Sequence, residues 1–336
     1  MNKFEYLIEW HKLPDGDKLR HFTSIGKSSQ LPPMAVEKDW WVTHALSIIF
    51  SMSCASALVF KGGTSLSKAW NLIERFSEDV DLSLDREYLG FAGELSNKKI
   101  HKLRYASYDF LTTKFIQELC EWFNSLGFTN VIVKCRETVN HDQDPLVIEI
   151  YYPKLTEKDI YLRPGILVEV GSRSLKEPYS QRVFKTMVSE MFPNEPFSDS
   201  AVTIPTVNPE RTFLEKVFLL HEEFQRPPQK MRIERLSRHL YDIEKLSQTP
   251  YFQKALSDKD LYSKIVAHRS KFSHLEGVDY TKHFSPHIQI VPPPGLLPLW
   301  EKDYNEMVES MIYGEKMPFN KLITRIIDIQ KEINNH

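Results

Sequence analysis

Two short runs carry residue types and a spacing suited to phosphate and metal chemistry: Gly62-Gly63-Thr64-Ser65, and downstream of it Asp79-Val80-Asp81. An apolar stretch of strand length, residues 57–60, leads into the glycines. Two glycines at a strand-to-helix turn let backbone amides approach a ligand closely. The helix that follows offers unpaired N–H groups and the positive end of its dipole. Gly62, Gly63, Thr64 and Ser65 thus form a cradle for nucleotide phosphates, with Lys68 one turn further on, either against phosphate or idle. Asp79 and Asp81, two apart on a strand, project to one side while Val80 and Leu82 face the core. Two carboxylates that close repel unless a cation sits between them, and hard oxygen ligands favour Mg²⁺, with Mn²⁺ as the alternative. Ser77 shares their face if the strand begins early, and there it would touch a transferred phosphoryl group; otherwise it simply opens the strand. Either run alone is common. Their order and spacing make the combination specific.

A two-metal site calls for a third carboxylate. Glu169 lies inside Ile166-Leu167-Val168-Glu169-Val170, where a charge is costly unless it is paired or metal-bound. It is either that ligand or the partner of Arg173. Glu149, in Val147-Ile148-Glu149-Ile150, is the competing third ligand.

These residues need elements to hold them. Residues 1–30 read as a helical lead-in with a polar turn at Pro14-Asp15-Gly16, and residues 36–50 as a bulky helix. Residues 64–76 follow the i, i+3, i+4, i+7 rule through Leu66, Ala69, Trp70 and Ile73, which predicts a helix. Strands are expected at 57–60, 80–84, 131–133, 147–151 and 166–170, and a long helix at 98–126. Prolines 193, 196, 205 and 209 mark a connection, after which helices are expected at 210–224, 233–247 and 318–335. The fold class is therefore α+β: a core of residues 1–204 with a mixed sheet flanked by helices, then a mainly helical C-terminal domain, residues 205–336.

The bulk properties narrow the class. The 336 residues are long enough for one large or two modest domains, and a net charge of −2 gives no global field for nucleic acid. Three isolated cysteines argue against a disulfide framework or zinc site and for a cytoplasmic home. The apolar stretch at 42–60 is broken by Thr43, His44 and four serines, so it reads as a buried helix and strand and no membrane span is expected. GxxxxGK[ST] is absent, which removes P-loop chemistry.

Phe60-Lys61-Gly62-Gly63-Thr64-Ser65-Leu66 followed by Phe76-Ser77-Glu78-Asp79-Val80-Asp81-Leu82 resembles the AbiEii-type nucleotidyltransferase toxins of the DNA polymerase β-like superfamily. Glu37-Lys38-Asp39-Trp40-Trp41, Thr212-Phe213-Leu214-Glu215-Lys216 and Arg235-Leu236-Ser237-Arg238-His239-Leu240-Tyr241-Asp242 resemble three further segments of that family. The resemblance covers residues 36–246. It implies that Gly63, Thr64 and Ser65 hold the triphosphate, that Asp79, Asp81 and Glu169 bind Mg²⁺, and that Lys216 and Asp242 complete the nucleotide site from the C-terminal domain. The last segment departs from the family pattern at Arg238-His239, and the gap from the glycines to Asp79 is slightly long. The implied reaction moves an NMP from an NTP to an acceptor hydroxyl and releases pyrophosphate. The implied setting is a bacterial toxin–antitoxin or abortive-infection system with a cognate antitoxin protein and tRNA or another RNA as acceptor. Basic runs at 98–104 and 226–238 would track an RNA backbone or else form solvated helix faces. Competing readings are nucleotidyl transfer to a protein, a metal-dependent glycosyltransferase using Asp-x-Asp, and a non-catalytic binding protein of the same fold.

Overall fold

The computed structural model describes residues 4–157, 165–173, 178–273 and 275–336; the first three residues of the expected lead-in lie outside them. Inter-residue contacts divide the chain into two compact units. The first comprises Met1–Ala69 and Phe76–Val207, the second Trp70–Arg75 and Asn208–His336.

The first unit is built on a seven-stranded mixed sheet: β1 Leu58–Lys61, β2 Asp79–Leu84, β3 Ile132–Cys135, β4 Leu146–Tyr151, β5 Ile166–Gly171, β6 Tyr179–Phe184 and β7 Val202–Val207, in the order β3-β4-β5-β2-β1-β7-β6. β1 runs antiparallel to β2, and β2 parallel to β5. One face is apolar: Phe60, Val80, Leu82, Ile148, Val168 and Ile204 are all fully buried. Removing a side chain of this size from water stabilises the fold by about 1.5–3 kcal/mol, and this row sets the register of every strand, because a one-residue slip would expose it. The other face carries the polar residues. Helix Pro33–Ile49, started by a proline in its first turn, packs against β5 and is buried along nearly its whole length. Helices Glu5–Lys12 and Asp15–Ser29 precede it. The expected helix over 98–126 is present as Asn97–Phe110 and Ile116–Ser125, joined by one π turn, with the Ser96 hydroxyl accepting from the Lys99 amide at its start.

Three expectations need correction. The helix after the glycines stops at Ala69 and does not reach Phe76. Asn71 turns into the left-handed region at φ 53°. The backbone of residues 73–75 bonds to 312–314 of the second unit: Tyr313 and Gly314 donate to the Glu74 carbonyl at 3.1 and 3.3 Å, and Arg75 bridges Ile312. The helical spacing through Leu66, Ala69, Trp70 and Ile73 marked residues that are buried, Trp70 apart, but it did not report the conformation beyond Ala69, since buried backbone groups are satisfied by whichever partner is near. Next, the proline-marked connection contains a strand, β7, paired with β6 throughout; Pro205 lies opposite Gln181. A proline normally argues against an interior strand, and here β7 shares a single bridge with β1, at Thr206. Last, the helix expected from residue 233 begins at Ser237. Arg235 is left-handed at φ 61°, and the Asp303 carboxylate accepts from the Arg235 and Ser237 amides at 2.5 and 3.0 Å.

The second unit is helical, with Pro209–Gln225, Ser237–Ser247, Pro250–Ser257, Lys259–Phe272, Leu297–Ser310 and Phe319–Asn335. Among the described residues, no helix is long and apolar enough to cross a membrane.

Candidate active site

β1 runs into Gly62, whose φ of +80° is a conformation that L side chains rarely adopt. A Cβ there would lie 1.8 Å from Asp81 Oδ2. Only glycine lets the turn close against that carboxylate, and the contact follows from the pairing of Lys61 with Asp81 across β1 and β2. The first-turn hydroxyls are used locally. Thr64 Oγ1 meets Ser77 Oγ at 3.0 Å and donates to the Asp79 carbonyl, and Ser65 Oγ donates to the Gly62 carbonyl at 2.8 Å. Both side chains are fully buried, and Ser77 is buried beside Thr64. The Thr64 hydroxyl therefore fastens the turn to the start of β2, and the Ser65 hydroxyl closes the turn on itself.

The carboxylates share the polar face. Asp81 is the direct neighbour of Glu169 across the parallel β2–β5 pair, and Asp79 stands opposite Leu167. Val80 and Leu82, between and beyond the aspartates, are fully buried on the opposite side. Asp79, Asp81 and Glu169 are each half-buried. Glu149 lies on the same face, one strand further out and opposite Leu167. It is engaged there: its oxygens accept from Arg136 Nε at 2.8 Å and the Tyr151 hydroxyl at 2.9 Å, with Lys134 at 3.7 Å. Burial works against its charge, but these donors prevail and hold the Glu149 carboxyl below its ordinary range. Arg173, the other partner considered for Glu169, pairs with Asp144 at 2.9 Å. Among the described residues, no group of three or more His, Cys, Asp or Glu side chains is placed so that it could hold a metal ion. Asp79, Asp81 and Glu169 put three carboxylates on one face of the sheet, and carboxylate oxygens are the kind of donor that hard divalent cations take.

Both halves of this arrangement are tied to helix Pro33–Ile49 through three consecutive buried charges. Glu37 accepts from the Leu155 and Thr156 amides at 2.8 and 3.1 Å. Lys38 forms a fully buried ion pair with Glu78, the residue before Asp79, at 2.7 Å. Asp39 pairs with Lys68, just past the glycine turn, at 2.6 Å and accepts from the Met187 amide at 2.8 Å. Lys68 also donates to the Lys185 carbonyl at 2.7 Å. The sequence marked this triplet as part of a family segment but gave no sign of its partners, because they lie 29–40 residues away or more. A lysine and two acids on successive positions of an otherwise apolar helix were the available clue, since such charges are rarely buried without mates.

In the second unit, Lys216 and Asp242 come together. Lys216 Nζ is 2.8 Å from Asp242 Oδ2. Arg75 grips the same carboxylate with two bonds of 2.7 Å, and His239 Nδ1 lies 3.5 Å from Lys216 Nζ. Burial alone would raise the Asp242 carboxyl, but the two cations overcome it and hold it far below the usual carboxylate range. Burial, then the neighbouring Lys216 charge, pushes His239 well below its ordinary value and keeps it neutral. Arg75 was missed in the sequence because it stood within a stretch read as helix. Of the basic runs, Arg226 and Arg232 both bind Glu223, and Arg104 and His101 both bind Asp142. Lys98, Lys99 and Lys102 are exposed.

A mixed sheet with carboxylates on its polar face beside a Gly-Gly turn, followed by a helical region, is the architecture of the polymerase β-like nucleotidyltransferases. The chain belongs to the AbiEii family, described as the nucleotidyl transferase AbiEii toxin of type IV toxin–antitoxin systems, whose pattern matches residues 48–325. No curated protein matches it in sequence. Among solved structures it is similar to the nucleotidyltransferase toxin MenT4 of Mycobacterium tuberculosis, with 18% identity, a TM-score of 0.45, and 96% of this chain and 97% of that one covered. It is also similar to the Helicobacter pylori protein JHP933, with 15% identity, a TM-score of 0.44, and 91% and 94% covered.

Proposed function

We propose that this chain transfers a nucleoside monophosphate from an NTP to an RNA hydroxyl, with tRNA as the favoured acceptor, under Mg²⁺ dependence, and that a cognate antitoxin restrains it. The observation that carries the reading is the direct pairing of Asp81 with Glu169, Asp79 two residues away, and the Asp81 carboxylate seated against Gly62. Asp79, Asp81 and Glu169 would hold the metal. When bound there, Mg²⁺ supplies charge neutralisation on the triphosphate and lowers the pKa of the acceptor hydroxyl. The chain's own part is to position. The glycine turn brings backbone amides to the phosphates, the Thr64 hydroxyl fixes that turn to β2, and the Asp39–Lys68 and Lys38–Glu78 pairs keep turn and strand in register. Lys216, carried over from the family resemblance as a point charge for the triphosphate, is the residue of the second unit whose loss should weaken NTP binding. The exposed Lys98, Lys99 and Lys102 support an RNA acceptor, since phosphate contacts supply most of the sequence-independent affinity.

The test is transfer of label from each α-labelled NTP to total tRNA, other RNA and protein fractions, with nucleotide-sugars as a control donor. Label should reach RNA and require Mg²⁺ or Mn²⁺. Transfer that survives both Asp79→Ala and Asp81→Ala overturns the reading.

A further inference from the structure

The polar face of the sheet carries two rows that start at the aspartates and end in cations. Asp81, Glu169 and Val147 are direct neighbours across β2, β5 and β4, and the Arg136 amide donates to the Val147 carbonyl at 2.8 Å. Asp79, Leu167, Glu149 and Lys134 are neighbours in the same way across β2, β5, β4 and β3. Arg136 and Lys134 therefore stand at the β3 edge of the face that bears the carboxylates.

Glu149 gathers the two cations. Its carboxylate accepts from Arg136 Nε at 2.8 Å and from the Tyr151 hydroxyl at 2.9 Å, and lies 3.7 Å from Lys134 Nζ. Lys134 Nζ is also 5.0 Å from the centre of the Tyr151 ring. One acid between two cations leaves the group positive, and the Arg136 and Lys134 side chains stay 45% and 57% exposed. The bond from Nε uses one of the five N–H donors of a guanidinium. A ligand thus meets an arginine fork already fixed at its base, in the geometry that suits a phosphate.

Strand order says which phosphate that is. The glycine turn follows β1, the carboxylates lie on β2 and β5, and the cations lie on or just past β3, in the order β3-β4-β5-β2-β1. The carboxylates stand between the glycine turn and the cations. In-line displacement puts the attacking and departing oxygens on opposite sides of the phosphorus. With the triphosphate at the glycine turn, the cations are on the side of the acceptor. Two strand steps separate β3 from Glu169, about 10 Å. An RNA acceptor carries a backbone phosphate beside its reacting hydroxyl and brings negative charge to that place.

With the nucleotidyl-transfer reading as the basis for its role, we infer that Arg136 and Lys134, held together by Glu149, clamp a backbone phosphate of the acceptor RNA near the hydroxyl that reacts. The probe is a short single-stranded RNA with a free terminal hydroxyl, labelled at its other end. It is titrated with the full chain, without NTP, by fluorescence anisotropy over a series of salt concentrations. Replacing both cations, Arg136→Gln with Lys134→Gln, should weaken binding about tenfold at low salt and reduce the slope of log affinity against log salt by about 0.7 for each cation removed. Arg136→Lys, which keeps the charge, should keep the slope. Calorimetry with Mg²⁺-NTP should give the same affinity for the parent and the double variant. In label transfer, KM for RNA should rise by more than kcat falls. A lysine on an edge strand also deters pairing with another chain, but that role alone moves neither the slope nor KM. An unchanged salt slope overturns the clamp, and so does a loss of Mg²⁺-NTP affinity, which would assign the cations to the donor. Weaker RNA binding in the double variant, in a chain that transfers label from no NTP, leaves the clamp standing and overturns the transfer reading instead.

Discussion

Asp81 and Asp242 sit under opposite conditions. Asp81 is half-buried on the polar face of a sheet, beside Glu169 and against a glycine. Asp242 is fully buried in a helical unit, held by Arg75 through two bonds and by Lys216 through a third. The first arrangement gathers acids on one face of the sheet. The second cancels its acid from two sides and leaves nothing to titrate near neutral pH. Asp81 meets a second acid, Glu169, across the β2–β5 pair, whereas Asp242 meets two cations, Arg75 and Lys216, inside the helical unit.

The largest effect should come from breaking the first arrangement. Asp79→Ala or Asp81→Ala is expected to lower transfer by roughly a thousandfold or more, equivalent to about 4 kcal/mol of transition-state stabilisation. The thermal midpoint should change less than with Asp242→Ala, because Asp79 and Asp81 are half-buried whereas Asp242 is fully buried. Asp242→Ala should do the converse. It leaves Arg75 and Lys216 buried without their carboxylate, which costs about 3–5 kcal/mol. Denaturant unfolding of both variants, alongside transfer rates, separates the two roles; an Asp242→Ala chain as stable as the parent would break the comparison.

Gly62 sharpens it further. Gly62→Ala places a methyl group on the Asp81 carboxylate and strains a left-handed backbone, which costs about 1–3 kcal/mol. The turn or the carboxylate must move, so transfer should fall along with stability. Gly90→Ala, also left-handed but with nothing near its missing Cβ, is the control for backbone strain alone.

How far these regions could be read in advance depended on range. The Gly-Gly turn, the two aspartates and Glu169 declare themselves because strand periodicity and isolated charge are local signals. The projection of the two aspartates to one side also follows from periodicity, but the pairing of Asp81 with Glu169 does not: Glu149 stood as the competing candidate until the strand order was known. What was illegible involved distant partners. Lys38 stands out on its apolar helix, but nothing local names Glu78, 40 residues on, as its mate. Arg75 looked helical because Leu66, Ala69, Trp70 and Ile73 fall at helical spacing, yet its segment is held by backbone bonds to residues 312–314. β7 was hidden by Pro205, whose missing N–H argues against the very pairing it tolerates.

A buried histidine gives a smaller, pH-dependent effect. His44, on helix Pro33–Ile49, is 2% exposed, and neither ring nitrogen has a hydrogen-bond partner. Burial, with the Lys68 charge second, lowers it to about 3. The unfolded chain takes up a proton near pH 6.5 and the folded chain does not, so the stability this neutral form contributes is full above pH 6.5 and is lost as pH falls toward 3. Between pH 6.5 and 5 the loss is about 2 kcal/mol. His44→Leu should flatten that part of the pH–stability curve by this amount; an unchanged slope would assign the loss elsewhere.

The smallest expected change is the most discriminating for the metal site. Glu149 and Glu169 occupy the same face of adjacent strands, and composition alone cannot rank them. Their surroundings do. Glu149 already has Arg136, Lys134 and the Tyr151 hydroxyl around its oxygens, and β5 lies between it and the aspartates of β2. Glu169 is one strand from Asp81 and directly in register with it. Glu149→Gln should therefore change transfer by no more than about threefold, in keeping with a part-exposed ion pair worth about 1 kcal/mol or less. Glu169→Gln should cut transfer sharply and raise the Mg²⁺ concentration needed for half-maximal rate. If instead Glu149→Gln shifts the Mg²⁺ requirement and Glu169→Gln does not, the donor set extends across β4, and the Arg136 and Lys134 pairs are contacts that must open before the metal binds.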